Sequence, residues 1–139
     1  MKSIIRKNVF ETNSSSCHSI EMGEKTETYS TIFPDNNGVI RLGGCEFGWG
    51  VESHGDPLTK ASYVAQEIVQ YPSSDSFSLQ LLLEELLMEH TGAEKIEYDL
   101  SGNIDHQSVG TVRRMNVTKE FLKELIFGNA KIIIDNDNH

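Results

Sequence analysis

The order of periodicities along this chain predicts an α+β fold. One domain spans residues 1–139, with a mostly antiparallel sheet and about three helices packed on it. Two observations carry that class. Short alternating or β-branched runs come first, and apolar residues then recur at helical spacing in two stretches, followed by a strand, a third helical stretch and a final strand. A third observation sets the domain count: 139 residues suit one core, and neither a repeat nor a linker divides them.

The elements follow in order. Ser3 to Phe10 alternates loosely, with Ile5, Val9 and Phe10 apolar, and reads as a strand. His18 to Met22 alternates cleanly, with Ile20 and Met22 on one face. The two are expected to pair as a hairpin or as neighbours, joined by the seven residues Glu11 to Cys17. That is longer than a tight two-residue turn, and the extra length needs a ligand or a packed polar network to justify it. Lys25 to Tyr29 is weakly strand-like. Pro34-Asp35-Asn36-Asn37-Gly38 is a turn, because Pro fixes φ and Asn-Gly supplies positive φ. Val39 to Leu42 reads as a strand. Gly43 to Gly50 holds four glycines around Phe47 and the single Trp49. Glycine removes the side chain where backbone must come close to something, so this loop is either functional or tightly packed.

Asp56-Pro57 starts a helix, with Asp as N-cap and Pro at the first helical position. Leu58, Ala61, Val64, Ala65 and Ile68 form its apolar face, and Tyr71-Pro72 ends it. Phe77, Leu79, Leu82, Leu83, Leu86 and Leu87 line a second helix that stops at Gly92, with Glu84, Glu85 and Glu89 on its wet face. Lys95 to Leu100 reads as a strand, and Ser101-Gly102-Asn103 as a turn. Val117, Phe121, Leu122, Leu125 and Ile126 give a third helix, stopped by Gly128-Asn129. Ala130 to Ile134 is an apolar, β-branched run that reads as a buried strand.

Composition narrows the function. Net charge is −9 with a pI near 4.9, so extended nucleic acid is repelled by the surface as a whole. The acidity has two readings: solubility, or a surface that occupies a partner's nucleic-acid channel. No apolar run approaches the roughly 18 residues of a membrane helix. The first residues are basic but lack the apolar core of a secretory leader. Two cysteines, Cys17 and Cys45, make no disulfide framework, so a reduced, cytoplasmic setting is expected. No cofactor and no metal are expected: the chain lacks HExxH, paired CxxC, a P-loop and a dinucleotide fingerprint.

Three stretches hold candidate site chemistry. In the first, Glu11, Asn13, Ser14, Ser15, Ser16, His18 and Ser19 offer hydroxyls, an amide, a carboxylate and a titrating ring on a bent backbone. Such groups suit ribose hydroxyls, phosphate oxygens or base edges. The competing reading is a loop whose hydroxyls satisfy its own backbone. Cys17 is disfavoured as a nucleophile because His18, its neighbour on a strand, points to the opposite face. In the second, Asp105, His106, Gln107 and Ser108 sit in a row; the competing reading is a polar turn. In the third, Asp135 to Asn138 resembles the opening of a calcium loop, but the Glu at position twelve is missing, which rejects an EF-hand. Phe47 and Trp49 either stack on a base or plug the core.

The stretch from Arg6 to Ser19 also carries a resemblance. Arg6, Val9, Phe10, Glu11, Thr12, Asn13, Ser14, Ser15, Ser16, His18 and Ser19 match the start shared by a group of small proteins from phages and bacterial mobile elements. That start runs Arg-x-x-Val-Phe-Glu-Thr-Asn-Ser-Ser-Ser-x-His-Ser, with Cys17 at the variable place. Weaker echoes are FGWG, IDHQS and the terminal DNDN. The resemblance implies a phage-type accessory protein that meddles with host physiology or defence; it implies no mechanism.

The expected function is therefore binding of a small polar, nucleotide-like ligand, in a pocket made by the Glu11–Ser19 turn, the Asp105–Ser108 segment and Trp49. Sequestering a nucleotide signal would serve counter-defence without chemistry. One alternative is a small hydrolase with His18 or His106 as general acid/base and Glu11 or Asp105 as base or orienter. The other is an acidic inhibitor of a host defence protein, in which Glu84, Glu85 and Glu89 form the acidic face. No membrane partner is expected.

Overall fold

The computed structural model describes residues 16–24, 28–47, 51–104, 112 and 115–136. The expected strand over residues 3–10, and the hairpin it would make, lie outside these residues. The described strands are β1 (Ser16–Glu21), β2 (Val39–Gly43), β3 (Glu46–Phe47), β4 (Glu52–His54), β5 (Lys95–Asp99), β6 (Asn103–Ile104) and β7 (Lys131–Asn136). The helices are α1 (Pro57–Gln70), α2 (Ser76–Thr91) and α3 (Lys119–Phe127). This is an α+β domain, as the order of periodicities predicts. Among the described residues, no helix is long and apolar enough to cross a membrane.

β7 is the central strand of a three-stranded antiparallel sheet, with β1 and β4 on either side. Its run of isoleucines explains the position: Ile132 and Ile134 are fully buried, and β-branched residues pack well on a pleated, covered surface. The other pairings are parallel, β2 with β5 and β3 with β6, so the strand set is mixed. Parallel neighbours need a long crossover, and α1 and α2 both lie in the chain between β2 and β5.

Local signals hold where the expected chemistry is present. Asp56 accepts a hydrogen bond from the Thr59 backbone N–H (2.9 Å) with Pro57 at the helix start. Thr118 caps α3 through the Phe121 N–H (3.0 Å). Gly92 closes α2 in the left-handed region, φ 79°. In the turn before β2, Asp35 Oδ1 accepts from the N–H groups of Asn37 and Val39 at 2.8 and 3.0 Å.

Other expectations change. Leu58 and Phe77, expected on apolar faces, are exposed, because each sits in the first turn of its helix, where the buried face has not begun. β5 stops at Asp99, and Leu100 is exposed in the turn beyond it. Thr28 and Tyr29, the described end of the weakly patterned stretch, are not strand. Instead the Tyr29 hydroxyl donates to Glu124, and Lys123 Nζ lies 4.5 Å from its ring centroid.

The largest departure is α1. Every residue from Lys60 to Ile68 is buried, including Lys60, Ser62, Gln66 and Glu67. An amphipathic pattern marks a helix with one wet face. α1 instead runs through the middle of the domain, packing on β2, β6, α2 and α3, and its polar side chains bond to the backbone around them.

Candidate functional site

The polar residues of α1 are spaced to serve two sets of partners. Ser62, Gln66 and Gln70 fall four apart on one helix face. Ser62 Oγ accepts from Gly43 N–H at 3.0 Å. The Gln66 amide takes the Cys45 N–H on its oxygen at 3.1 Å and donates to the Cys45 carbonyl at 2.9 Å, as a neighbouring strand would. Gln70 donates to the Gly102 carbonyl at 2.5 Å. These bonds fix the glycine-rich turn to the helix. The same turn also shows why glycine stands there: at Gly43, φ 99°, a Cβ would lie 2.2 Å from the Asp99 carbonyl oxygen. Its described half is thus packed backbone, and Phe47 plugs the core.

The second set runs through Tyr63, Glu67 and Tyr71. Tyr63 is fully buried, and its hydroxyl shares a 2.7 Å hydrogen bond with His18 Nδ1 of β1. The Tyr63 ring meets Phe47 edge-on at 5.0 Å, and Phe47 meets His54 of β4 at 5.4 Å. His54 Nε2 lies 2.7 Å from a Glu52 carboxylate oxygen. Glu67, with no exposed surface, accepts from the Val112 N–H at 3.0 Å. The Tyr71 hydroxyl donates to the Ile104 carbonyl at 2.9 Å.

Of the predicted site residues, His18, Ser16 and Ser19 are described. His18 is buried against Tyr63 while Ser19 is exposed, as strand alternation requires, so the two serve opposite faces. Ser16 opens β1 and pairs with Asn136. Glu11, Asn13, Ser14, Ser15, Trp49, Asp105, His106, Gln107 and Ser108 lie outside the described residues. The described residues that bound their segments do gather. The Ser run leads into β1, which His18 fastens to Tyr63. Phe47, beside Tyr63, is the last residue before 48–50. Ile104 pairs with Phe47 in parallel register and is the last before 105–111; Val112, at the far end of that segment, is held by Glu67.

Sequence reasoning missed Lys60, Tyr63, Gln66 and Glu67. Their types and spacing are those of an ordinary wet helix face; the available signal was the small residues Ala61, Ser62 and Ala65, which let neighbouring backbone come close. The Tyr63–His18 bond gives the first test. Tyr63→Phe, which keeps the ring and removes the hydroxyl, is expected to cost about 1–2 kcal/mol in urea unfolding. An unchanged midpoint would mean that this bond does not hold β1 on α1.

Chemistry elsewhere is limited. Burial pushes the Cys45 thiol up from its ordinary range, away from the thiolate that a nucleophile needs. No group of three or more His, Cys, Asp or Glu residues is placed to hold a metal among the described residues. A cleft of about 330 Å³ opens between α2 and α3, lined by Leu86, Glu89, His90, Lys119, Glu120 and Lys123. Lys119 bridges to Glu89 at 3.0 Å and Glu85 at 3.5 Å, so two of the three carboxylates on the wet face of α2 already hold a cation. The third, Glu84, accepts from Tyr98 at 2.6 Å and Gln80 at 3.1 Å.

No family model matches this chain, and no curated protein or solved structure matches it.

Proposed function

We propose that this chain is a phage-type accessory protein that binds a small polar, nucleotide-like ligand, in a pocket built on the end of the domain above Tyr63. The observation that supports this is the gathering of anchors: His18 for the Ser run, Phe47 for the segment carrying Trp49, and Ile104 and Val112 for the segment carrying Asp105 to Ser108. These four anchors, which bound three polar or aromatic segments far apart in sequence, meet one helix within two to three turns. The bonds that hold the anchors are buried, and rigid supports are what a preorganised binding site needs. Hydroxyls, amides and one indole suit ribose, phosphate and base. Sequestration of a nucleotide signal would serve counter-defence.

The test begins with mass spectrometry of small molecules released when purified protein is denatured. Mono-, di- and cyclic nucleotides are then titrated calorimetrically into the wild type and into a Ser14→Ala/Ser15→Ala/Gln107→Ala variant. Binding by the wild type, weakened at least tenfold in the variant with an unchanged urea midpoint, is the expected result. Absence of any released molecule together with no heat from any nucleotide would sink the proposal. Turnover of the nucleotide, abolished by His106→Ala, would replace it with the hydrolase. His18→Ala is the poorer probe because it also breaks the buried bond to Tyr63.

A further inference from the structure

We propose, resting on the reading of the site given above, that His54 contacts the nucleotide-like ligand by accepting a hydrogen bond from a ribose hydroxyl, with Glu52 as its positioning residue. The register of the three-stranded sheet puts both side chains beside the anchors. Directly opposite residues in an antiparallel sheet share a face. Ile134 of β7 stands opposite His18 on one side and Glu52 on the other, and Ile132 stands opposite Ile20 and His54. Glu52 and His54 therefore lie on the covered face of the sheet, the one on which His18 reaches Tyr63. Ser53, between them, is exposed on the other face. The His54 ring meets Phe47 edge-on, so the described strands on either side of residues 48–50, β3 and β4, touch through these two rings.

Only half of the chemistry of this pair is used within the chain. An ionised carboxylate accepts hydrogen bonds and donates none. His54 Nε2, 2.7 Å from Glu52, therefore carries the proton and donates it. A carboxylate behind an imidazole fixes its tautomer and its orientation. In this tautomer Nδ1 is an acceptor, and no partner holds it among the described residues. Each side chain is 22% exposed, so the pair is not sealed in the core. A lone acceptor selects a donor. Phosphate oxygens bring acceptors and negative charge, and Glu52 repels them. A base edge is read best by a donor and an acceptor side by side, and Nδ1 offers one of the two. A ribose hydroxyl needs only the acceptor.

The experiment extends the calorimetric titrations of mono-, di- and cyclic nucleotides to the 2′-deoxy and 3′-deoxy forms of the ribonucleotide that binds best. The wild type should bind at least one deoxy form tenfold or more weakly. His54→Phe keeps a ring against Phe47 and removes both nitrogens; it should bind that deoxy form and its parent equally. Glu52→Ala should shrink the wild-type ratio at least threefold, and Glu52→Gln, which keeps an acceptor for Nε2–H, should restore it. A purely structural role for the pair would lower both affinities together and leave the ratio unchanged. Urea midpoints near the wild type check that the fold is kept, and the two Glu52 variants carry the test if His54→Phe fails to fold. Equal binding of ribo and deoxy forms by the wild type overturns the proposal while leaving the pocket in place. So does a ratio that survives His54→Phe, or a preference among bases that His54→Phe abolishes while the ribose preference stays. If the wild type binds no nucleotide at all, the reading of the pocket falls, and the role of His54 falls with it.

Discussion

Gly102→Ala is expected to destabilise the domain by about 3 kcal/mol or more, a large loss for a small protein. A Cβ at Gly102 would lie 2.3 Å from both the nitrogen and the oxygen of Cys45 and 2.6 Å from the Gly44 carbonyl carbon. All three are backbone atoms, so no side-chain rotation relieves the clash. The β3–β6 joint has to open, which breaks the Asn103 N–H bond to the Cys45 carbonyl (2.8 Å) and strains the Gln66 amide on the same residue. Gly92→Ala is the control: φ is 79° there, but nothing lies within 4 Å of the added carbon. Its cost is the left-handed backbone alone, about 1–2 kcal/mol. Urea denaturation of the two variants decides; equal midpoints would mean that the joint is soft. Because Phe47 and Ile104 of this joint bound the segments carrying Trp49 and Asp105 to Ser108, Gly102→Ala should also weaken the binding proposed above, and Gly92→Ala should not.

The second large effect is a rise in stability with pH that depends on Lys60. This lysine has no exposed surface, and its ammonium donates to the carbonyls of Ala130 (2.7 Å) and Gly128 (3.4 Å). Burial pushes its pKa down to about 8, with Asp56 opposing in part. In the unfolded chain the group keeps its ordinary value of 10.5. Between those values the unfolded state holds more protons than the folded state, so stability increases as pH rises. The gain is roughly 2 kcal/mol between pH 8 and 10. Above pH 10 the sign reverses. The Glu124 bond raises Tyr29 to about 12, and burial followed by the Glu84 bond raises Tyr98. Each tyrosine stays protonated in the fold and ionises when unfolded, so its contribution is lost as pH climbs. Cys45, also raised by burial, acts in the same direction from its ordinary value of 9.0 upward. The informative quantity is therefore the difference between wild type and Lys60→Met, in which the other groups cancel. The unfolding free energy of the wild type minus that of Lys60→Met, taken at pH 7.5, 8.5 and 9.5, should grow with pH. Parallel curves would refute the role given to Lys60.

Much of the fold was legible because it is written in local chemistry. Asp56-Pro57, Gly92, Thr118 and the Asp35–Gly38 turn each act within a few residues, and their bonds form where that chemistry places them. The burial of β7 was legible in its isoleucines. The alternation read over His18 to Met22 held from His18 to Glu21, and it parts His18 from Ser19, two residues that the sequence reading grouped in one candidate site. Less of the site could be read. The sequence drew attention to the Ser run, to Trp49 and to Asp105 to Ser108, but had no means of relating them, since pairing between Phe47 and Ile104 spans 57 positions. The wet face expected on α2 was also only half seen: Glu85 and Glu89 are acidic in sequence but hold Lys119 in space.

By itself, then, the sequence determined the α+β class, the helix ends, the turn before β2 and the buried last strand, because each depends on residues that are neighbours in the chain. The tertiary structure decided the role of α1. Lys60, Ser62, Tyr63, Gln66 and Glu67 have the composition of a solvated face. They are buried because backbone groups of Ala130, Gly43, Cys45 and Val112, and the ring of His18, come to meet them. A polar side chain lies inside a protein only when a partner arrives from elsewhere, and which partner arrives is a property of the folded chain as a whole.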